Sequence, residues 1–170
     1  MNDIVDIVGK ILEKDKESIY LTETGEIFKG VIKAFNKDGF VKVESLAGKS
    51  SIIKNPSQAI YMFPEPLDLK EIFEIDYTPK EKKPTERDFH RQLAVAKDIF
   101  GEGILDGDKV LFTDGEGALK LGRTNNVEKD KQTVNITANK DKNQVKIETN
   151  GKNIYLLQRD YYIKEKHAYQ

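Results

Sequence analysis

Between Ser18 and Pro64 every apolar run stops after a few residues, and this constrains the chain more than any other feature. The runs Ile19–Leu21, Ile27–Phe35, Phe40–Val43, Ile52–Ile53 and Ala59–Phe63 alternate with turn residues at Thr24-Gly25, Asp38-Gly39, Ala47-Gly48 and Asn55-Pro56. Runs this short, punctuated this regularly, predict a five-stranded antiparallel meander, with Asp-Gly as the strongest of its hairpin signals.

The second run carries a geometric clue of its own. Ile27, Val31 and Phe35 fall on one face of an extended strand, and Phe28, Ile32 and Ala34 on the other. Apolar residues on both faces, with Gly30 in the middle, predict a strand bent sharply between the two halves of a small barrel. Glycine there permits close approach of a neighbouring backbone.

Ser18-Ile-Tyr-Leu21, the glycines at 25 and 30, and Gly30-Val-Ile-x-x-Phe-Asn36 resemble the first motif of the Sm/Hfq-like small β-barrels. Lys54 falls where Hfq-type chains carry Lys-His, with Asn55 in place of the histidine. The connection Asn55-Pro56-Ser57-Gln58 and the turns before and after strand two are longer than in that family. The resemblance covers residues 18–64. It implies a ring-forming barrel that binds RNA or a nucleotide without being an enzyme. The positions matching its intersubunit pocket are Asn36, Phe40, Lys54 and Asn55, and those matching its opposite face are Tyr20 and Gly25, while Ile27 departs from the expected lysine. A stacked base and a cation over its phosphate make a sensible chemistry for such a site. The alternative is that Phe40 and Tyr20 are core or rim residues and Lys54 a solvated strand lysine.

With 170 residues, of which 38% are hydrophobic and 34% charged, the chain is long enough for one ordinary domain or two small ones. No cysteine is present, which excludes disulfides, thiolate metal sites and cysteine nucleophiles. A net charge of −1 argues against broad electrostatic capture of nucleic acid. No apolar run approaches the roughly 18 residues of a spanning helix, so no membrane partner is expected, and a cytoplasmic setting is the default.

Ile4, Val5, Ile7, Val8, Ile11 and Leu12 have helical spacing, which predicts a helix over 2–16 covering one end of the barrel. Four of the five prolines and a charged run lie between Pro64 and Pro84, which reads as a connection; within it, Leu67–Tyr77 is apolar enough to pack on one of the domains. Thr85-Glu-Arg-Asp opens a second helix, with a stripe of Phe89, Leu93, Ala96, Ile99 and Phe100 ending at Gly101. Short strands follow at 109–113, 118–123, 133–138, 144–149 and 153–163. Helix plus five strands thus occurs twice, and Gly25-Glu-Ile-Phe-Lys-Gly30 and Ile60-Tyr61 are echoed by Gly117-Ala-Leu-Lys-Leu-Gly122 and Ile154-Tyr155. The expected fold is mainly β with helices (α+β), as two helix-capped five-stranded Sm/SH3-like barrels in tandem. The domains are expected at 1–64 and 85–170, joined by 65–84.

Catalytic motifs are absent. His90 and His167 have no visible partner, and no cofactor or metal site is expected. Gly48-Lys49-Ser50 lacks the first glycine of a phosphate-binding loop. Asp106-Gly107-Asp108 and Asp114-Gly115-Glu116 do not continue as a calcium loop and read as turns flanking a strand. At the C-terminus Tyr155, Tyr161, Tyr162 and Tyr169 interleave with Arg159, Lys164 and Lys166, a second surface suited to single-stranded nucleic acid, or else a long final strand with a frayed tail. Two non-enzymatic readings follow. One is an Sm/Hfq-like barrel binding RNA or a nucleotide, self-associated through the open edges of strands four and five. The other is a protein-interaction module or inhibitor of phage or mobile-element type that binds a host or partner protein and no nucleic acid.

Overall fold

The computed structural model describes residues 3–64, 86–128, 130–140 and 142–157. Strands β1 (Glu17–Leu21), β2 (Ile27–Phe35), β3 (Val41–Ser45) and β4 (Ser50–Ile53) lead through one helical turn, α1 (Pro56–Ala59), into β5 (Ile60–Met62). Helix α2 (Glu86–Leu93) precedes β6 (Lys109–Phe112), β7 (Lys120–Asn125), β8 (Thr133–Ala138), β9 (Gln144–Glu148) and β10 (Ile154–Leu156). All pairings are antiparallel, in two five-stranded sheets ordered β4-β3-β2-β1-β5 and β10-β6-β7-β8-β9. Each sheet therefore places its fifth strand beside its first, with one and the same connectivity.

The chain is mainly β, as expected, but the sheets are not closed barrels, because no fourth strand pairs with a fifth. The reason lies in the segment expected to be the first helix. Instead of a helix, residues 4–12 form a tight turn closed by a Val5↔Ile11 bridge. The Asp6 carboxylate accepts the Val8 and Lys10 N–H groups at 3.0 and 2.9 Å, and Gly9 takes φ +86. A short acidic side chain that binds nearby backbone N–H groups competes with the helical ladder, and here it wins. The other carboxylate oxygen of Asp6 accepts the Met62 N–H at 3.0 Å, while Ile7 N–H donates to the Ile60 carbonyl at 2.9 Å. The outer edge of β5 is thereby occupied by the chain's own N-terminal turn.

The second half repeats this device atom for atom. Asp98 accepts Phe100 and Glu102 N–H groups at 2.8 and 2.9 Å and Leu156 N–H at 3.0 Å, Ile99 N–H donates to the Ile154 carbonyl, and Gly101 takes φ +81. The second helix accordingly ends at Leu93 rather than Gly101, and Ala96 and Ile99 belong to this turn. Helix α2 covers neither sheet with an apolar face, for none of its residues is buried and Phe89 and Leu93 are 65% and 68% exposed. It is held instead by ions: the buried Asp108 carboxylate receives Arg91 at 2.7 and 3.0 Å, Arg87 at 2.9 Å and Leu105 N–H at 2.8 Å. Asp108 is thus the anchor of a helix and not merely a turn residue.

The two halves share a core. One core runs from Ile19, Ile32, Val43 and Ile60 of the first sheet into Leu111, Leu119, Tyr155 and Leu157 of the second half. A further core lies within the second sheet around Phe112, Ile136 and Ile154. Two backbone hydrogen bonds cross between the halves reciprocally. Ile27 N–H, at the head of β2, donates to the Lys152 carbonyl before β10; Leu119 N–H, just before β7, donates to the Gln58 carbonyl before β5; both are 2.7 Å. Equivalent groups exchanging the same bond are the mark of a two-fold arrangement. The expected connection over 65–84 and the tail beyond 157 lie outside the described residues.

Gly30 is required by close approach, as expected, because a Cβ there would run into the Glu44 carbonyl of β3. Its counterpart Gly122 would bring a Cβ to 2.7 Å from Ile136 Cγ2. The register of β2 shifts between Ile32 and Ala34 rather than at Gly30, and beyond this bulge Ala34 and Phe35 are exposed. The strand is therefore apolar on both faces without being buried on both along its length.

Two measurements test this account. Asp6→Asn and Asp98→Asn each turn an NH2 donor toward a backbone N–H donor, so each is expected to cost about 1–3 kcal/mol in urea unfolding; an unshifted midpoint would show that the carboxylates do not hold the edges. Gly30→Val and Gly122→Val are each expected to lose about 1–3 kcal/mol or more by overpacking, and a melting temperature equal to that of the parent would contradict the close approach.

Candidate peptide-binding groove

Lys54 and Asn55 join β4 to the one-turn helix α1, whose Pro56 sits at its first turn and is buried. Both residues are exposed, and the Asn55 Nδ2 donates to Gln58 Oε1 at 3.4 Å. Opposite them stands the β1–β2 turn, where Gly25 takes φ +84 and the Thr22 and Thr24 hydroxyls share a 2.7 Å hydrogen bond. Between turn and strand runs a groove. Its deeper section, about 580 Å³, is lined by Gly25, Ile52, Lys54 and Asn55 together with Thr113 and Gly117 of the second half. Its outer section, about 440 Å³, continues past Phe28, Lys49 and Ser51.

The structure thus brings three of the six sequence-derived site residues together, Gly25, Lys54 and Asn55. Asn36 and Phe40 are one neighbouring unit. Asn36 N–H donates to the Phe40 carbonyl at 3.1 Å, and Asn36 Oδ1 accepts the Asp38 and Phe40 N–H groups at 2.9 Å each. The register Val41↔Ile53 sets Phe40 beside Lys54. Asn36 spends its side-chain oxygen on its own turn.

Tyr20 does not belong to the surface. It is 1% exposed, its ring lies 6.0 Å from that of Phe28, and burial pushes its hydroxyl above the ordinary tyrosine range, against a side-chain hydrogen bond with Ser45. A base has no face of Tyr20 on which to stack. The expected ring closure also loses its seat, because the edge of β5 is taken by the Asp6 turn and Ile60 is fully buried.

The edge of β4 is different. Ser45 N–H donates to the Lys49 carbonyl at 2.8 Å, which makes that pair a hydrogen-bonded one. Alternation along an antiparallel ladder then bonds Ser51 to Val43 and Ile53 to Val41, and turns the N–H and C=O groups of Ser50 and Ile52 outward. No backbone partner meets them among the described residues. Ile52 is 50% exposed at that edge. An apolar, unpaired edge is the feature that sequence reasoning linked to ring formation; the structure places it on a groove.

Charges around the groove are unequal in their commitments. Glu26 lies 3.4 Å from Lys152, whereas Lys42, Lys49 and Lys54 make no ion pair among the described residues. On the far side, Asp114 is held below the usual carboxylate range: burial works against this, but Lys120 at 2.9 Å and the Glu116 N–H outweigh it. His90 faces Glu86 at 3.6 Å on helix α2, remote in sequence and element from the groove. No helix among the described residues is long and apolar enough to cross a membrane.

Tyr20→Phe removes a buried hydroxyl and its Ser45 bond. The expected loss is about 0.5–1.5 kcal/mol of stability with no effect on ligand capture, read by thermal melting and by the binding assays below; a binding defect at unchanged stability would return Tyr20 to the site.

No protein-family model matches the chain, and no curated protein does. Among solved structures, a selenium-substituted mutant of the Arabidopsis thaliana SHH1 SAWADEE domain aligns with 86% of this chain and 100% of its own, at 8% identity and a TM-score of 0.31. The SHH1 SAWADEE domain in complex with an H3K9me3 peptide aligns with 86% and 99%, at 8% identity and a TM-score of 0.29. Overlap at this level assigns no family, and the functional reading rests on the chain's own surfaces.

Proposed function

We propose that this chain is a non-enzymatic binding protein whose ligand is another protein, taken up in the groove between the β1–β2 turn and β4. The observation that carries this reading is the open backbone edge at Ser50 and Ile52, set along a groove to which both halves contribute. Natural sheets blunt or cover such edges unless they are used; among the described residues the β5 and β10 edges are covered and the β4 edge is not. Four buried or half-buried carboxylates serve structure: Asp6 and Asp98 hold edges, Asp108 holds helix α2, and Asp114 pairs with Lys120. Burial of Tyr20 removes one stacking face, and Glu23, Glu26 and Glu44 interrupt the lysines around the groove, which weakens the RNA reading at this groove.

A displayed library of random peptides panned on the chain tests the proposal. Retained peptides are expected to lose binding to Ile52→Glu and Lys54→Glu variants that melt like the parent. No retained peptide, or peptides indifferent to both substitutions, would overturn it. An absorbance ratio showing nucleic acid carried through purification, displaced by those same substitutions, would favour the RNA reading instead.

A further inference from the structure

We propose that the partner segment binds as an added strand on β4, in extended conformation, and that it is an acidic segment carrying an apolar residue opposite Ile52. This rests on the protein-partner reading above and specifies its geometry and chemistry. Strand addition needs outward-facing N–H and C=O groups at alternate residues of an edge, and β4 supplies them at Ser50 and Ile52. Side chains then decide which segment is accepted. Ile52 is half exposed on the same face as Lys42, its cross-strand partner, and Lys54 follows two positions on. Lys49 opens the strand at its other end. An incoming strand therefore meets an apolar contact at its centre flanked by Lys42 and Lys54, which make no ion pair among the described residues; of the acidic groups nearby, Glu26 is engaged by Lys152, Glu23 lies across the groove, and Glu44 faces Ser50 at the end of the strand away from Lys54. An apolar residue opposite Ile52 with an acidic residue two positions on, opposite Lys54 and on the same face, satisfies both features, whereas a basic residue there would set like charges side by side.

The opposite edge shows the contrast. In β9 the outward row is Gln144, Lys146 and Glu148, all exposed and polar, which is how an edge is protected from pairing. The two halves share a connectivity, but only the first presents an apolar edge.

The test uses the full chain and a fluorescein-labelled peptide of about ten residues in which valine and glutamate take turns at every second position with threonine between them, so that both fall on one face, and a valine–lysine peptide of the same pattern as comparison. Fluorescence anisotropy at low salt is expected to show saturable binding of the first and weaker binding of the second. Ile52→Pro deletes an outward donor without touching the β3–β4 ladder, and is expected to weaken binding about five- to tenfold at unchanged melting temperature. Lys54→Glu is expected to invert the preference between the two peptides. Should Ile52→Pro fail to fold, amide exchange of the parent chain gives the same answer, with the Ser50 and Ile52 amides slowed by peptide and the already bonded Ser51 and Ile53 amides unchanged. Unaltered affinity in a folded Ile52→Pro, or no slowing at Ser50 and Ile52, would overturn strand addition and leave the groove as a protein site. Equal binding of both peptides would overturn the acidic specificity. Absence of saturable valine–glutamate binding by a chain that does retain library peptides sinks this inference alone; failure to retain any library peptide sinks the protein-partner reading with it.

Discussion

Two buried aspartates, Asp6 and Asp98, hold the ends of this fold. Each is 2–3% exposed, each gives one oxygen to two N–H groups of its own turn and the other to the fifth strand of its sheet. A buried carboxylate is costly, and burial pushes the Asp98 carboxyl above the ordinary aspartate range while its N–H bonds from Leu156, Glu102 and Phe100 pull it back. What the cost secures is an edge. A strand of three residues has few backbone bonds with which to hold its place, and the aspartate, standing in for the carbonyl of a neighbouring strand, fastens it from the outer side. Closure of the sheet into a barrel is thereby forestalled, and among the described residues the fourth strand is left with an open side.

The strands were legible because their punctuation is local. Ile27–Phe35 and Thr133–Ala138 were bounded correctly by Gly and Asn-rich turns, and the two glycines at 30 and 122 marked backbone approach at equivalent places. The N-terminal segment was misread because Ile4, Val5, Ile7, Val8, Ile11 and Leu12 have helical spacing, and spacing alone does not register that Asp6 can bind the backbone two and four residues on. A signal was present: Asp6-Ile-Val-Gly9 recurs as Asp98-Ile-Phe-Gly101, with the glycine in the left-handed region both times. Read as a repeated turn, it would have replaced both the first helix and the C-terminal part of the second.

The candidate site was legible in part for the same reason. Gly25, Lys54 and Asn55 sit in turns and at strand ends, where sequence pattern locates residues on a rim. Tyr20 failed because alternation along β1 gives no warning that both faces of that strand are buried, in a core that takes in residues of both halves. The edges of strands four and five were both expected to be open, yet which edges remain unpaired depends on distant segments: Asp6 occupies the edge at Met62, far from it in the chain.

The reciprocal bonds from Ile27 to Lys152 and from Leu119 to Gln58 give one polypeptide the contact pattern of a homodimer. Two separate subunits joined in this way would part on dilution; with both on one chain, the second association is intramolecular and its strength is set by the tether rather than by concentration. Covalent linkage also removes the obligation that both copies of a surface be identical. Gln144, Lys146 and Glu148 line one edge, and Ser50 and Ile52 the corresponding one. The molecule therefore has the framework of a two-valent object and the surface of a one-valent one.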